Sequence, residues 1–131
     1  MPDMNNLFQS GDWTKEKHVP VIGIDGTPSK GSAIRVTLAV GREIPHPNTT
    51  EHHIAWIELY FLPAGEKFPS LLGRFDFAAH GASVQGPNTG TVYTVPETVC
   101  VVTTEKTGTL IAASFCNIHG LWQNTIELAY T

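Results

Sequence analysis

The sequence is rich in residues that branch at Cβ, and this feature restricts the chain to a β-rich fold. Threonine, valine and isoleucine make up 34 of its 131 residues, and branched side chains favour extended backbone over helix. Apolar residues also alternate with polar ones. In the segment 34–40, for example, every second residue is a large aliphatic one: Ile34, Val36, Leu38 and Val40. A period of two residues is typical of a strand with one buried face.

Clusters of glycine, proline, asparagine and aspartate separate these alternating segments and predict turns. We therefore expect seven strands, at residues 18–25, 31–40, 52–62, 70–78, 91–104, 108–116 and 121–130. No window combines a helical apolar period with a capping residue. Seven short strands separated by turns predict an all-β, seven-stranded antiparallel sandwich of immunoglobulin-like layout. The cysteine and tryptophan spacing of immunoglobulins is absent, so the likeness concerns architecture only.

Composition and charge exclude several classes of function. The formal net charge is −4, which disfavours a nucleic-acid binder that works by neutralising phosphates. No apolar segment approaches the roughly 18 residues of a membrane span. The N-terminus shows no basic region followed by an apolar stretch, and two cysteines cannot form a disulfide framework, so we predict a cytoplasmic protein. Only 15% of residues are charged, against about a quarter in most globular proteins, which favours a homo-oligomer.

Three short motifs carry metal-ligand side chains: EKHVP, HPNTTEHH and CNIHG. In the last motif, Cys116 and His119 lie about one turn apart, close enough for a thiolate and an imidazole to chelate one metal ion. In the second motif, His52 and His53 are neighbours, and successive side chains of an extended chain point in opposite directions. At most one of the two faces a given site, and spacing alone leaves the choice open.

The donor set limits the metal. It comprises up to four imidazoles and one thiolate, whereas a structural zinc usually takes four ligands that are rich in cysteine. There is no His-x-His pair, and no adjacent carboxylate completes a two-histidine, one-carboxylate triad. A five-ligand site with an open sixth position suits redox iron. The alternative is a non-catalytic β-sandwich with a structural metal, or an unrelated interaction module. We interpret His80 as an ordinary surface or core histidine and Cys100 as a small core residue.

Taken together, EKHVP, EIPHPNTTEHHI and CNIHGLW resemble motifs of the superoxide reductase family, specifically of its one-iron, neelaredoxin-type members. The same iron-binding domain also forms the second domain of desulfoferrodoxins. The resemblance covers essentially the whole chain, including AHGASVQGPNT. Two-iron members carry a further N-terminal desulforedoxin-like domain with four cysteines. Residues 1–17 contain no cysteine, so the resemblance implies a single iron-binding domain over residues 1–131.

The resemblance also implies one iron per subunit with four equatorial imidazoles and one axial thiolate, from His18, His46, His52, His119 and Cys116. It assigns the ligand position to His52 rather than to His53. Glu16 would occupy the sixth position in the resting ferric state, and Lys17 would assist the capture of superoxide. The implied reaction is one-electron reduction of superoxide to hydrogen peroxide without production of dioxygen. Rubredoxin or a similar small carrier would donate the electron, and the subunits would form a dimer or a tetramer.

Overall fold

The computed structural model describes residues 2–130 and contains seven strands in two sheets. The elements are α1 (Met4–Leu7), β1 (Val21–Asp25), β2 (Ile34–Ala39), β3 (Ile54–Pro63), β4 (Ser70–Asp76), β5 (Glu97–Val102), β6 (Gly108–Cys116) and β7 (Gly120–Leu128). One sheet has the order β1-β2-β5 and the other the order β4-β3-β6-β7. Every pair of these strands is antiparallel. The predicted all-β antiparallel sandwich is therefore confirmed.

The prediction of a single long strand over residues 91–104 is wrong in its first half, because β5 begins only at Glu97. Pro96 has no N–H to give to a ladder and commonly marks the edge or start of a strand. The backbone N–H of Thr94 donates instead to the carbonyl of Ala79, at 2.7 Å. Residues 91–96 thus belong to a loop that packs on the segment after β4. The bounds of the other strands agree with the prediction to within three residues at each end.

The N-terminal part also differs from the prediction. β1 begins at Val21 rather than at residue 18, since the carbonyl of Pro20 is bound by the side chain of Asn124, at 2.9 Å, and not by a neighbouring strand. The short helix α1 is not predicted by the sequence pattern. It has four residues, too few to show a helical period, and a side-chain cap from Asp3 begins it. Between residues 2 and 130, no helix has the length and apolar character required to span a bilayer.

The two sheets share one apolar core. The apolar face of β2 is buried as predicted, and Leu38 on this face is fully inaccessible to solvent. Arg35, on the opposite face of the same strand, is exposed. The opposite sheet contributes Ile57 and Leu59 from β3 and Leu110 from β6. Burial of these side chains is the main source of stability, at about 25 cal/mol for each Å² of apolar surface removed from water.

The topology brings the three ligand-bearing motifs to one end of this sandwich. Cys116 is the last residue of β6 and pairs with Ile54, the first residue of β3, so the segment before β3 lies beside it. Cys116 also pairs with Gly120, the first residue of β7. The turn between β6 and β7 therefore projects from the same end, and the segment before β1 reaches this end as well, because His18 lies against His119.

Candidate metal centre

Five ligand-type side chains converge where β6 ends. Four imidazoles form a closed ring in which neighbouring centroids lie 4.7–5.1 Å apart, in the order His18, His46, His52, His119. The ligand atoms of His18, His52, Cys116 and His119 all lie within 4.8 Å of one another. His46 stands outside that mutual group, across the ring from His119, but adjoins both His18 and His52 at 4.8 Å.

Two of these imidazoles hold buried nitrogen atoms without a partner. The Nε2 atoms of His46 and His52 make no hydrogen bond to any residue described between 2 and 130. The Nδ1–H of His46 donates to the Pro47 carbonyl at 2.6 Å, which leaves the lone pair on Nε2. Burial lowers the pKa of His46 to about 4 and also lowers the pKa of His52, so both rings are neutral near pH 7. An unpaired buried polar atom costs about 1–3 kcal/mol, and a metal ion would remove that cost.

The other two imidazoles point nitrogen atoms at each other. His18 donates its Nδ1–H to Oε1 of Glu16 at 2.6 Å, so its lone pair lies on Nε2. That Nε2 is 3.1 Å from Nδ1 of His119, which lies 3.8 Å from Sγ of Cys116. Two ring nitrogens at this separation attract only when a proton or a metal cation lies between them. The donor set of nitrogen and sulfur atoms therefore fits a metal such as iron or zinc better than a hard cation.

Cys116 is fully buried and is not part of a disulfide. Its Sγ accepts a hydrogen bond from the backbone N–H of His119 at 3.3 Å. The thiolate is the form of cysteine that binds metals, and the same backbone N–H can donate to it. The tight turn that supplies the donor ends at Gly120, whose φ of +81° suits glycine.

The two ligand-bearing loops are joined by Asn117, which follows Cys116. Its side chain accepts from the N–H of His53 at 2.8 Å and donates to the carbonyl of Glu51 at 2.8 Å. Its backbone N–H donates to the carbonyl of His53 at 3.2 Å. Asn117 thus binds the residues on both sides of His52. The motif CNIHG contains this residue, but its spacing gives no sign of the contact.

Glu16 and Lys17 flank the cluster through the segment before His18. Besides the ring contact, Oε1 of Glu16 accepts from the backbone N–H of His18 at 3.1 Å, and the hydrogen bond from the imidazole lowers the pKa of this carboxyl group. In this conformation Glu16 lies on the outer, Nδ1 side of His18. Lys17 forms no ion pair with the residues described from 2 to 130, and its charge contributes to the lowered pKa values of His46 and His52.

The remaining histidines lie outside the cluster. His53 turns away from it, donates Nδ1–H to the Thr49 carbonyl at 2.9 Å and stacks on His80. Cys100 is half-buried and packs against the core, as the sequence predicts.

The indole of Trp122 stacks on His18 with centroids 4.8 Å apart and donates Nε1–H to the carbonyl of His119 at 3.2 Å. Sequence reasoning missed this role for Trp122, although the residue stands in the motif CNIHGLW.

A β-sandwich with four imidazoles and a cysteine sulfur gathered at one end defines a metalloprotein class with a nitrogen- and sulfur-ligated centre. The chain belongs to the desulfoferrodoxin family, whose model matches residues 10–125. It is 55% identical over 125 residues to the superoxide reductase of Pyrococcus furiosus, covering 95% of this chain and 98% of that protein. It is 48% identical over 126 residues to the neelaredoxin of Megalodesulfovibrio gigas, covering 96% and 97%.

A solved structure extends the likeness to three dimensions. The reduced superoxide reductase (neelaredoxin) of Archaeoglobus fulgidus matches the chain with a TM-score of 0.88 at 59% identity, over 94% of this chain and 98% of that one. The resemblance inferred from the three motifs is therefore confirmed.

Proposed function

We propose that this protein is a superoxide reductase, which reduces superoxide by one electron, with two protons, to hydrogen peroxide and releases no dioxygen. The relatives support this activity. In this chain, the activity is supported by one observation: a closed ring of four imidazoles lies beside a buried thiol, and the Nε2 atoms of His46 and His52 are unpaired. Buried nitrogen atoms without a partner are what metal ligands present when no metal is bound, and a chance grouping of surface side chains would leave them in contact with water.

One iron per chain is the proposed cofactor. His18, His46, His52, His119 and Cys116 would hold it, and it would supply the electron by passing from the ferrous to the ferric state. The chain's own residues prepare the donors. Glu16 accepts a hydrogen bond from Nδ1–H of His18, and the Pro47 carbonyl accepts one from Nδ1–H of His46. These bonds fix the tautomers in which Nε2 carries the lone pair. Such outer partners also raise the basicity of the ligating nitrogen.

Lys17 is proposed to draw in the substrate. Superoxide is an anion and the chain has a net charge of −4, so capture requires a local positive field. Lys17 is half-buried as a residue, and its ammonium group forms no ion pair with a carboxylate within residues 2–130, so its field is not cancelled by a close partner. A compact cation at the mouth of a site raises the encounter rate, and salt reduces that effect.

Glu16 is proposed to cover the oxidised site as its sixth ligand. The carboxylate is a hard anion that suits a ferric ion better than a ferrous one. Oε1 accepts two hydrogen bonds from His18, one from the ring and one from the backbone. Covering the site requires the side chain to exchange at least the ring hydrogen bond for the metal. Glu16 and Lys17 therefore do different work although they are neighbours in the chain.

A small rubredoxin-type electron carrier is the proposed donor. His119 is exposed and borders a groove lined by Leu7, Phe115, Ile118 and Leu121. A carrier with an apolar surface around its own redox centre would fit there, and the exposed ligand would give the electron a short route. Substitution of Leu7 by Lys should slow reduction by rubredoxin more than it slows the reaction with superoxide. Stopped-flow measurement of both rates would test the assignment, and equal effects would contradict it.

A homo-oligomer, either a dimer or a tetramer, is the proposed assembly. β5 is an edge strand of its sheet, and its outward residues Val99 and Val101 are exposed, as is Val95 just before it. A second copy would offer the same apolar stripe and the same unpaired backbone edge, which is the self-complementarity that a two-fold contact needs. Val99→Glu should reduce the mass found by sedimentation equilibrium. An unchanged mass would exclude this surface as an interface.

We propose further that residues 1–131 act as a single iron domain and that the protein is cytoplasmic. The single core shared by both sheets supports one domain. Neither Cys100 nor Cys116 forms a disulfide, which suits a reducing compartment. Limited proteolysis should leave residues 10–125 as one resistant fragment, and two resistant fragments would contradict this organisation.

Metal analysis combined with pulse radiolysis tests the proposed function. We expect about one iron per chain, a blue oxidised protein with a thiolate-to-ferric charge-transfer band, and second-order consumption of superoxide by the reduced protein. Hydrogen peroxide should form without dioxygen. A colourless zinc protein that does not consume superoxide would instead establish the alternative, a β-sandwich with a structural metal.

A further inference from the structure

His80 is a buried histidine that the proposed reaction does not use. Only 9% of its surface is exposed, and the other buried polar residues described between 2 and 130 are His18 and Ser114. Its Nε2 lies 2.5 Å from the Phe77 carbonyl and its Nδ1 lies 2.9 Å from Oδ1 of Asn48. Both ring nitrogens are therefore engaged, and the residue does not belong to the His/Cys cluster. Burying an imidazole costs free energy, and the two hydrogen bonds of the ring offset that cost.

Those contacts converge on residues 46–53, which we call the ligand loop because it carries His46 and His52. The His80 ring binds the side chain of Asn48. Its backbone carbonyl accepts the hydroxyl proton of Thr50 at 2.6 Å. Its ring face stacks on His53, with centroids 3.5 Å apart and planes within 5° of parallel. One residue thus touches the loop just after His46, in the middle, and just after His52.

The ligand loop needs such support because it has no strand pairing of its own. Its internal backbone bond joins the Thr49 N–H to the His52 carbonyl, at 2.9 Å. Within the loop, the Thr49 hydroxyl also donates to the His52 carbonyl at 3.2 Å and accepts from the His52 N–H at 3.0 Å. Further contacts come from outside the loop. Asn48 donates to the Thr94 carbonyl at 2.9 Å, and Thr94 in turn binds Ala79, the residue before His80. His80 and Asn48 are therefore held by the same neighbouring segment.

We propose that His80 is a positioning residue for the metal centre, which holds the ligand loop so that His46 and His52 face the common site before the metal binds. His80 acts through Asn48, Thr50 and His53 and touches neither the metal nor the substrate. The proposal depends on the ligand roles proposed above for His46 and His52. It predicts that loss of the His80 hydrogen bonds weakens metal binding about 10–100-fold, the usual effect of removing an outer partner of a metal ligand.

The test is His80→Phe, which keeps an aromatic ring to stack on His53 and keeps the backbone carbonyl that binds Thr50. It removes the two hydrogen bonds of the imidazole nitrogens, to Asn48 and to the Phe77 carbonyl. Cobalt(II) affinity of the apoprotein is measured by competition with a chelator, and hydrogen exchange of the Thr50 and His52 amides is followed in the same apoprotein. We expect the 10–100-fold loss of affinity and faster exchange at both amides. The matched control is Tyr130→Phe, which also removes hydrogen bonds to two backbone carbonyls, those of Thr104 (2.6 Å) and Lys106 (3.0 Å), at the opposite end of the sandwich. The control should keep wild-type affinity.

Asn48→Ala provides a second route if the His80 variant does not fold. It should show the same loss, and the double variant should lose little more than either single one, because both changes break one interaction. Wild-type affinity in the His80 and Asn48 variants, or a loss no greater than in Tyr130→Phe, would overturn the positioning role. His46→Ala separates this result from failure of the proposed function. If His46→Ala also binds cobalt normally, the ligand assignment itself is wrong; if it binds weakly, only the positioning role fails.

Discussion

The two halves of the metal centre are built in different ways. Cys116 and His119 stand on the turn between β6 and β7, where a continuous backbone ladder fixes the chain on both sides. His46 and His52 stand on the ligand loop. Groups from other segments hold this loop in place, among them those of His80, Asn88 and Asn117. Strand pairing is specified by an apolar alternation that a sequence shows openly. A network of side-chain hydrogen bonds between distant segments leaves no local pattern.

This difference leads to an order of sensitivity. Substitution of a ligand should remove the site in either half. Substitution of an outer residue should matter most for the ligand loop, since the hairpin turn keeps its shape through backbone bonds. The following variants rank these effects from the largest to the smallest.

The largest expected effect belongs to Cys116→Ser on the hairpin turn. It removes the single thiolate of the donor set, so iron affinity should fall sharply and the thiolate-to-ferric charge-transfer band should disappear. Cys100→Ser is the matched control, because it makes the same atomic change in β5. It should keep the band and cost at most about 1–3 kcal/mol of stability from the hydroxyl placed against the core. Iron content and visible absorption of the two purified variants would decide, and a band lost only in the Cys100 variant would refute the assignment.

The corresponding change in the ligand loop is His52→Ala, compared with its neighbour His53→Ala. His52 presents an unpaired buried Nε2 to the cluster, whereas His53 points its ring at His80. The first variant should lose iron, while the second should keep its iron content within a few-fold of wild type. Equal loss of iron in both variants, measured after identical purification, would show that the orientation of the loop is mistaken.

Asn117→Ala addresses the contact between the two halves. It removes two side-chain hydrogen bonds, to His53 and to Glu51, on either side of His52. Metal affinity should fall about tenfold, less than for loss of a ligand. Thr109→Val, which removes a side-chain hydrogen bond to Glu127 at the far end of β6, should leave affinity unchanged. Chelator competition measures both, and identical affinities in the two variants would mean that the halves are held independently.

Much of the fold follows from the sequence for a physical reason. The alternation in 34–40 places Leu38 in the core and Arg35 outside, because a period of two residues matches the geometry of a strand. The prediction missed the loop at 91–96, since its valines and threonines resemble a strand, although Pro96 is a local sign that the strand starts after it. The backbone of Thr94 binds Ala79 instead of a neighbouring strand.

The site was only partly predictable, because local sequence patterns do not show contacts between distant segments. The sequence contains the ligand residues and their motifs, and the resemblance assigns a position to each ligand. The roles of Asn117, Trp122 and His80 depend on contacts between residues far apart in the chain, which only the folded structure reveals.

The smallest effects should come from the segment before His18, which flanks both halves. Lys17→Ala should lower the second-order rate constant with superoxide a few-fold and flatten its dependence on ionic strength, because the attracting field is weaker. The visible spectrum of the oxidised protein should stay nearly unchanged. Glu16→Gln should shift the visible spectrum of the oxidised protein and leave the second-order rate constant with superoxide nearly unchanged. Pulse radiolysis at several salt concentrations distinguishes them, and a wild-type rate with a wild-type salt dependence in the lysine variant would exclude the steering role.

X-ray absorption at the iron edge of the reduced, iron-loaded protein tests most directly whether both halves contribute to one centre. Ligands from the hairpin turn, the ligand loop and His18 together predict four nitrogen neighbours and one sulfur neighbour for each iron. An iron with no sulfur neighbour, or with several, would contradict a single centre formed by His18, His46, His52, His119 and Cys116.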